Sequence, residues 1–362
     1  MTKHRFANFD TIRLAAAGSV IFSHAFLIAD GHDRNEPFVR LTGAIIGIHG
    51  VFVFLIISGF LVTQSLRNSS SLRHFAWKRF LRIYPALAIC AMVCAFLIAP
   101  FYSDLLFSSY LLSLFGVKYV AKVLLLYDVY EIRSVRFYDQ EVQRLGYSVN
   151  GSLWTIASEL YCYMILIFFA ALELVSLPVL LFGLFMGTAL LALSLVVNLP
   201  VSNLTINLIY TLPSFCAGVG MYFINAKFGL SGRIALGCVV GLLLFAPSGY
   251  LLVVSPILSA YPVVYLGMAA SIPLGKATRF GDLSYGTYLY GWPVTQVVRS
   301  VAGPALSGWG LFLTSLPFAM ACGFLSWHFV EKHALALKDL IRRSPDTLGG
   351  LREFDEKFGH IK

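Results

Sequence analysis

The chain has 362 residues, of which 58% are apolar, 15% aromatic and only 12% charged, whereas soluble domains run about half apolar and a quarter charged. A water-soluble enzyme, a disordered chain and a collagen-like or disulfide-stapled one are all excluded, and the composition predicts an all-α integral membrane protein. The net charge of +9, from 27 Lys and Arg against 18 Asp and Glu, fits either a nucleic-acid partner or crowded cytoplasmic loops, and the placement of the cations decides between them.

The N-terminus from Met1 to Asp10 is short and basic, and no small-residue cleavage site follows the apolar run behind it; it reads as the approach to a first span, not a signal peptide. About 20 apolar residues cross a bilayer as a helix, and ten such stretches occur, at 12–29, 43–65, 83–101, 152–175, 177–199, 204–224, 234–254, 257–274, 283–301 and 309–330. Pro247-Ser248-Gly249 is a candidate break in the seventh. The segment 104–127 is partly apolar, but Lys118 and Lys122 interrupt it, and it is expected to lie at the interface or re-enter the membrane. With ten spans both termini share a side. That side carries 18 of the 27 cations, the other side carries eight, and Arg13 lies inside the first span. The bias makes both termini cytoplasmic and puts the loop from Tyr102 to Gly151 outside, so the basic excess records orientation and no nucleic-acid partner is expected. The transmembrane domain is expected over 1–335, with a cytoplasmic tail over 336–362. All six cysteines, Cys90, Cys94, Cys162, Cys216, Cys238 and Cys322, fall in apolar runs without metal-ligand spacing and are expected as buried free thiols.

Ionisable side chains deep in a bilayer cost about 2.5–3.5 kcal/mol and mark functional pathways. The candidates are Arg13, His24, His49, Glu159 and, near the end of the last span, His328. Arg13 and His24 are eleven residues apart, close to three helical turns, so they project from one face about 16 Å apart. Asp10 is expected to cap that helix. His49 enters the second span at a depth similar to His24, and either histidine is suited to general-base or nucleophilic work near neutral pH. The plainer alternatives are an Arg13 that snorkels as an anchor and histidines that serve as hydrogen-bonded packing residues.

Arg79 and Arg82, three residues apart in the connection Leu72 to Pro85, form a neighbouring cationic pair on a helix that is able to clamp phosphates, with aromatic residues beside them; the alternative is ordinary positive-inside charge. Glu159 enters the fourth span from the outer face about two turns down, beneath Trp154 and on the side of His24 and His49. Carboxylate, imidazole and indole there would suit a hydroxylated acceptor, and the alternative is a Glu paired with a cation inside the bundle. A transporter using His24, His49 and Glu159 as a proton relay is the competing class, but neither an internal repeat nor an inverted pair of broken helices is evident. A structural subunit of an envelope-glycan assembly gives no reason to keep charges at mid-depth.

Together these stretches resemble the acyltransferase family 3 membrane proteins. Arg13 through Phe22-Ser-His24 resembles that family's Arg-x10-His signature. Ser58-Gly59-Phe60 is similar to its second-helix motif and Arg79-Phe-Leu-Arg82-Ile-Tyr-Pro85 to its Arg-x-x-Arg-Ile-x-Pro motif. Ser152-Leu-Trp154 with Glu159, and Gly281-Asp-Leu-Ser284-Tyr285, match further blocks, so the resemblance runs from Asn8 to about Leu335. Gly291 stands where many members carry His, two residues before the Pro of the ninth span, so no histidine role transfers there. The esterase-like domain appended in some members is not expected either.

The resemblance implies a bacterial inner-membrane O-acyltransferase that moves an acyl group, most often acetyl, from cytosolic acyl-CoA to a hydroxyl of an extracytoplasmic or lipid-linked glycan such as O-antigen or exopolysaccharide. Acyl-CoA enters as donor substrate, with no separate cofactor and no metal. On this reading His24, Arg13 and Glu159 are catalytic; Arg79, Arg82, Ser58 and Gly59 hold the donor; Trp154, Ser152, His49 and Tyr285 hold the acceptor. The pantetheine arm is roughly as long as the rise from Arg13 to His24. His24 can deprotonate the acceptor hydroxyl or carry a transient acyl group.

Overall fold

The computed structural model describes residues 7–127, 129–138, 142–197, 201–269 and 277–341. The described residues are overwhelmingly helical, and their only β pairing is two isolated bridges, Ser103 with Val135 and Glu131 with Ser148. The protein is an all-α membrane protein. Among the described residues, eight helical segments are long and apolar enough to cross a bilayer; a backbone in lipid must satisfy its own hydrogen bonds, and the helix does so within one segment.

In chain order the elements are α1 (Ala7–Asp30), the short α2 (Pro37–Thr42), α3 (Ile46–Arg67), α4 (Leu72–Met92), α5 (Phe107–Leu112), α6 (Phe115–Leu124), α7 (Trp154–Ala171), α8 (Leu177–Val196), α9 (Asn203–Phe228), α10 (Gly232–Phe245), α11 (Leu251–Leu258), α12 (Ala260–Met268), α13 (Ser284–Ala302), α14 (Gly308–Ser326) and α15 (Lys332–Ala336). The bundle has two ends, a terminal end where α1 starts and a loop end where α5 and α6 lie.

Four elements differ from the sequence reading, one of them at the break the sequence had marked. The third rod starts at Leu72, not near Ile83, and runs on through a π-helical turn (Val93–Ile98) to Tyr102, 31 residues in all. Ser71 caps it by accepting from the His74 N–H, so Arg79 and Arg82 sit on the helix rather than in a connection. Asp10 is inside α1, which already begins at Ala7, and is therefore a first-turn acid and not the N-cap. The seventh rod, α10, has only 14 residues before a short turn, and Gly249, with φ +75°, ends it at the Pro-Ser-Gly break. The ninth, α13, has the length of a span but is too polar to count among the eight. Its residues from Ser284 to Pro293 are all buried, so its hydroxyls and amide face helices instead of lipid. Of the expected tail, residues 342–362 lie outside the described residues, as do 270–276, where the eighth expected span ends.

At the core, α3 and α9 touch backbone to backbone. A Cβ on Gly59 would come 2.3 Å from the Phe215 carbonyl oxygen, and one on Gly218 would come 2.1 Å from that of Ile56. Small residues at such a seam allow the van der Waals contact that drives helix association in lipid. The segment 104–127 forms the α5–α6 hairpin. Tyr110 and Tyr119 are buried, the Tyr110 hydroxyl donates to the Ala95 carbonyl (2.8 Å), and Lys118 and Lys122 stay exposed on the opposite face. Beyond it, the loop is tied to α13. The Gln296 amide donates to the carbonyls of Leu145 (2.6 Å) and Ser148 (2.7 Å), and Ser300 donates to that of Phe137 (2.8 Å).

Candidate active site

One face of α13 organises the polar groups into three levels. Asp282, in the connection just ahead of α13, anchors the terminal level. Arg82 donates from Nη2 to its Oδ2 at 2.5 Å, Arg13 approaches the same oxygen at 3.9 Å, and Ser284 donates from Oγ to Oδ1 at 2.6 Å. The other guanidinium nitrogen of Arg82 lies 3.7 Å from Oε2 of Glu331, whose Oε1 accepts from Ser326 (2.8 Å). Glu331 reaches inward from a π-helical turn, Trp327–Glu331, a distortion common at functional sites. Burial pushes the Asp282 carboxyl up, but the guanidinium of Arg82, and then that of Arg13, outweigh burial and hold it well below the usual carboxylate range. Its charge therefore persists well below the ordinary carboxylate range, and the stability that depends on it is complete at neutral pH and is lost progressively as pH falls from the ordinary carboxylate pKa toward the lowered one.

Arg79 is placed differently. Its Nη2 makes a long 3.5 Å contact to Ser65 Oγ, its Nε is buried without a partner, and no carboxylate of a described residue lies within 4 Å. The two arginines therefore do not form an equivalent clamp, because Arg82 is neutralised by Asp282 and Glu331 whereas Arg79 keeps donor capacity.

The middle level is a chamber of about 360 Å3 lined by Phe54, Thr155, Ile156, Glu159, Tyr285 and Tyr288, among others. Glu159 Oε1 accepts from Ser58 Oγ at 2.6 Å and from the Tyr163 hydroxyl, and Ser58 and Tyr163 also touch at 2.8 Å. The carboxylate is thus held by hydroxyls, not by a cation. Tyr288 donates to the Ser152 carbonyl (2.9 Å) and shares a 2.5 Å bond with Thr155. Tyr285 donates to the Ile83 carbonyl (3.1 Å) and carries Arg82 over its ring at 5.9 Å.

The third level is His24, whose ring stands edge-on to Trp292 at 4.7 Å between centroids, with Nδ1 buried and unpartnered. Trp292 is fixed in turn by its Nε1 donating to the Ser148 carbonyl (3.1 Å). Arg13 and His24, eleven residues apart on α1, thus meet Asp282, just ahead of α13, and Trp292, ten residues on and within α13, so the two helices run in parallel. Ten residues of helix rise about 15 Å.

The other expected residues are placed as follows. Gly59 is sealed against α9, leaving no room for a ligand, and is a packing residue rather than a donor contact. Ser58 hydrogen-bonds to Glu159 and Tyr163. Ser152 is 1% exposed and positions Tyr288 through its carbonyl. Tyr285 sits between the chamber and Arg82, nearer the terminal end than an acceptor contact was expected to be. His49 is wedged between Phe38 (5.4 Å) and Phe52 (5.8 Å), with Nε2 unpartnered. Trp154 does not lie above Glu159: five residues round a helix turn it to another side, where it lines a separate cavity with Tyr127 and Asn207. Asp282, Glu331, Tyr163, Thr155, Tyr288 and Trp292 are additional members. Asp282 lay within the Gly-Asp-Leu-Ser block, whereas Glu331 follows the last apolar run and gave no sign of turning inward.

The model of the family described as acyltransferase domain, acyltransferase 3, matches residues 6–328. The chain belongs to the acyltransferase 3 family. Its similarity to curated relatives runs nearly end to end. It is 28% identical to the O-acetyl transferase of Shigella phage Sf6, covering 92% of this chain and 97% of the relative. It is 27% identical to Nodulation protein 10 of Rhizobium leguminosarum bv. viciae, covering 91% and 94%. No solved structure matches it. This acyltransferase is accordingly an enzyme of the O-acetyltransferase class, and apart from Glu331 the residues of the three levels lie within the matched domain.

Proposed function

We propose that the protein moves an acetyl group from cytosolic acetyl-CoA to a hydroxyl of an extracytoplasmic or lipid-linked glycan, in a bacterial inner membrane with both termini cytoplasmic. The row of polar levels along α13 carries this reading, because it joins a cationic end suited to phosphates to a histidine suited to hydroxyl chemistry about 15 Å away. Arg79 holds the CoA phosphates with its unused donors. Arg82 and Arg13, braced by Asp282, set the entrance, and the pantetheine arm runs past Tyr285 and the Glu159 chamber to bring the thioester to His24.

There a ring nitrogen of His24 takes the proton of the acceptor hydroxyl as its oxygen attacks the thioester carbonyl. The carbon–sulfur bond breaks, and CoA leaves with the proton as free thiol. In the two-step form the imidazole itself first takes the acetyl group, releasing CoA, and the hydroxyl then displaces it. Glu159, held by Ser58 and Tyr163, supplies negative charge beside the path and positions those two hydroxyls. His49, Ser152 and Trp154 belong to the acceptor half.

The test is mass spectrometry of envelope and secreted glycans from cells with and without the gene. Loss of a 42 Da acetyl increment, the mass of one acetyl group in place of a hydrogen (about 42 Da), is expected in the deletion and should be restored by the wild-type gene but not by His24→Ala. Unchanged glycans in the deletion would refute the reading.

A further inference from the structure

Across α7 from Glu159 lies a second cavity, of about 350 Å3, at the loop end of the bundle. Its walls include Tyr127 and Tyr130 from the loop, Leu153, Trp154 and Ala157 from α7, and Asn207 from the first turns of α9. Among the described residues, no Asp, Glu, Lys or Arg lines it. Asn207 is half-buried, and its side-chain amide bonds to no other described residue. Its amide offers both a donor and an acceptor to what fills the cavity.

The cavity is continuous in its lining with the chamber. A gap of about 230 Å3 shares Leu153 and Ala157 with the outer cavity and Ile156 with the Glu159 chamber. Around the α7 helical wheel these residues follow one another in order: Trp154, Ala157, Leu153, Ile156, Glu159. Along the side of α7 between Trp154 and Glu159 the outer cavity, the gap and the chamber thus follow one another, with Ile156 as the partition.

We propose that this cavity is the acceptor subsite and takes one neutral pyranose ring of the glycan. This rests on the transfer reaction proposed above. The apolar C–H face of the sugar stacks on Trp154 or the flanking tyrosines, and the Asn207 amide, both donor and acceptor, binds adjacent hydroxyls. The two substrates then dock at ends of opposite chemistry. The phosphate-bearing donor meets guanidinium groups, the sugar meets rings and an amide, and the hydroxyl to be acylated passes the Ile156 gap toward the chamber.

The experiment uses the full-length protein in lipid nanodiscs, with [14C]acetyl-CoA and, as acceptor, the lipid-linked glycan fraction extracted from the host membrane. Trp154→Ala and Asn207→Ala are expected each to raise the KM for that fraction about tenfold, equivalent to about 1.4 kcal/mol. The KM for acetyl-CoA should stay within about twofold, and Trp154→Phe should keep most of the affinity. A KM for the glycan unchanged in both alanine variants, with the proteins folded by thermal melting, overturns the proposal. So does a drop in melting temperature for Trp154→Ala without a change in KM, which is what an interfacial anchor gives. A wild type that moves no label into glycan at all overturns the transfer reaction beneath it, and needs no variant to show it.

Discussion

At the terminal end of the bundle Arg82 has two carboxylates within 3.7 Å and Arg13 one at 3.9 Å, with serines completing both acids. Ten residues further along α13, His24 has only the edge of Trp292 and a ring nitrogen with no partner. Charges that are fully answered inside the protein hold helices in register, because breaking a buried pair strands the remaining charge. A polar group left unanswered in the same low-dielectric surroundings is costly unless a substrate completes it. The comparison separates positioning from chemistry: Asp282 and Glu331 fix the arginines, while Arg79 and His24 retain capacity for ligands.

The largest effect is expected at the unanswered end. His24→Ala should lower kcat by about 10^2- to 10^4-fold, the range for losing a positioned general base, while leaving the thermal melting of the protein nearly unchanged. Activity within twofold of wild type in reconstituted membranes would reverse the assignment. At the answered end the order inverts. Asp282→Ala leaves Arg82 and Arg13 short of a carboxylate and should destabilise the fold by about 3–5 kcal/mol, seen as loss of monodisperse protein or a large drop in melting temperature. Melting at the wild-type temperature would mean that the cluster is not what joins α1, α4 and α13. A smaller and purely kinetic change is expected for Arg79→Ala. The KM for acetyl-CoA should rise about tenfold, the value of one charge-assisted contact at about 1.4 kcal/mol, with little change in melting temperature. His49→Gln should be the mildest, within about twofold in every kinetic constant, because His49 is gripped by Phe38 and Phe52 off the α13 face. A loss at His49 matching that at His24 would move the reacting centre toward α3.

Much of this was readable from spacing. Eleven residues between Arg13 and His24 specify one face of one helix whatever the surroundings, and the structure turns both toward α13. In 104–127, Lys118 and Lys122, on which the sequence reading rested, stay exposed while Tyr119 and Val123 are buried. The misread places have physical causes. Four cations from Arg73 to Arg82 resemble a cytoplasmic connection by hydropathy, yet a helix tolerates Arg82 there because it finds Asp282 and Glu331. The inward turn of Glu331 depends on a π-helical register shift that composition does not record. Trp154 and Glu159 are near in sequence, but five residues is the wrong interval for sharing a face. Gly59 resembled a ligand contact by motif, and its environment shows a helix seam instead.

The account turns on an acetyl group travelling along α13 from the arginine level to His24, and a sided assay tests that most directly. Inside-out vesicles carrying the enzyme receive [14C]acetyl-CoA on the outside, which corresponds to the cytoplasmic face, with the host glycan fraction sealed in the lumen. Label should appear in the luminal glycan with wild-type enzyme and should be absent with His24→Ala. Label confined to glycan on the same side as the acetyl-CoA would contradict the account.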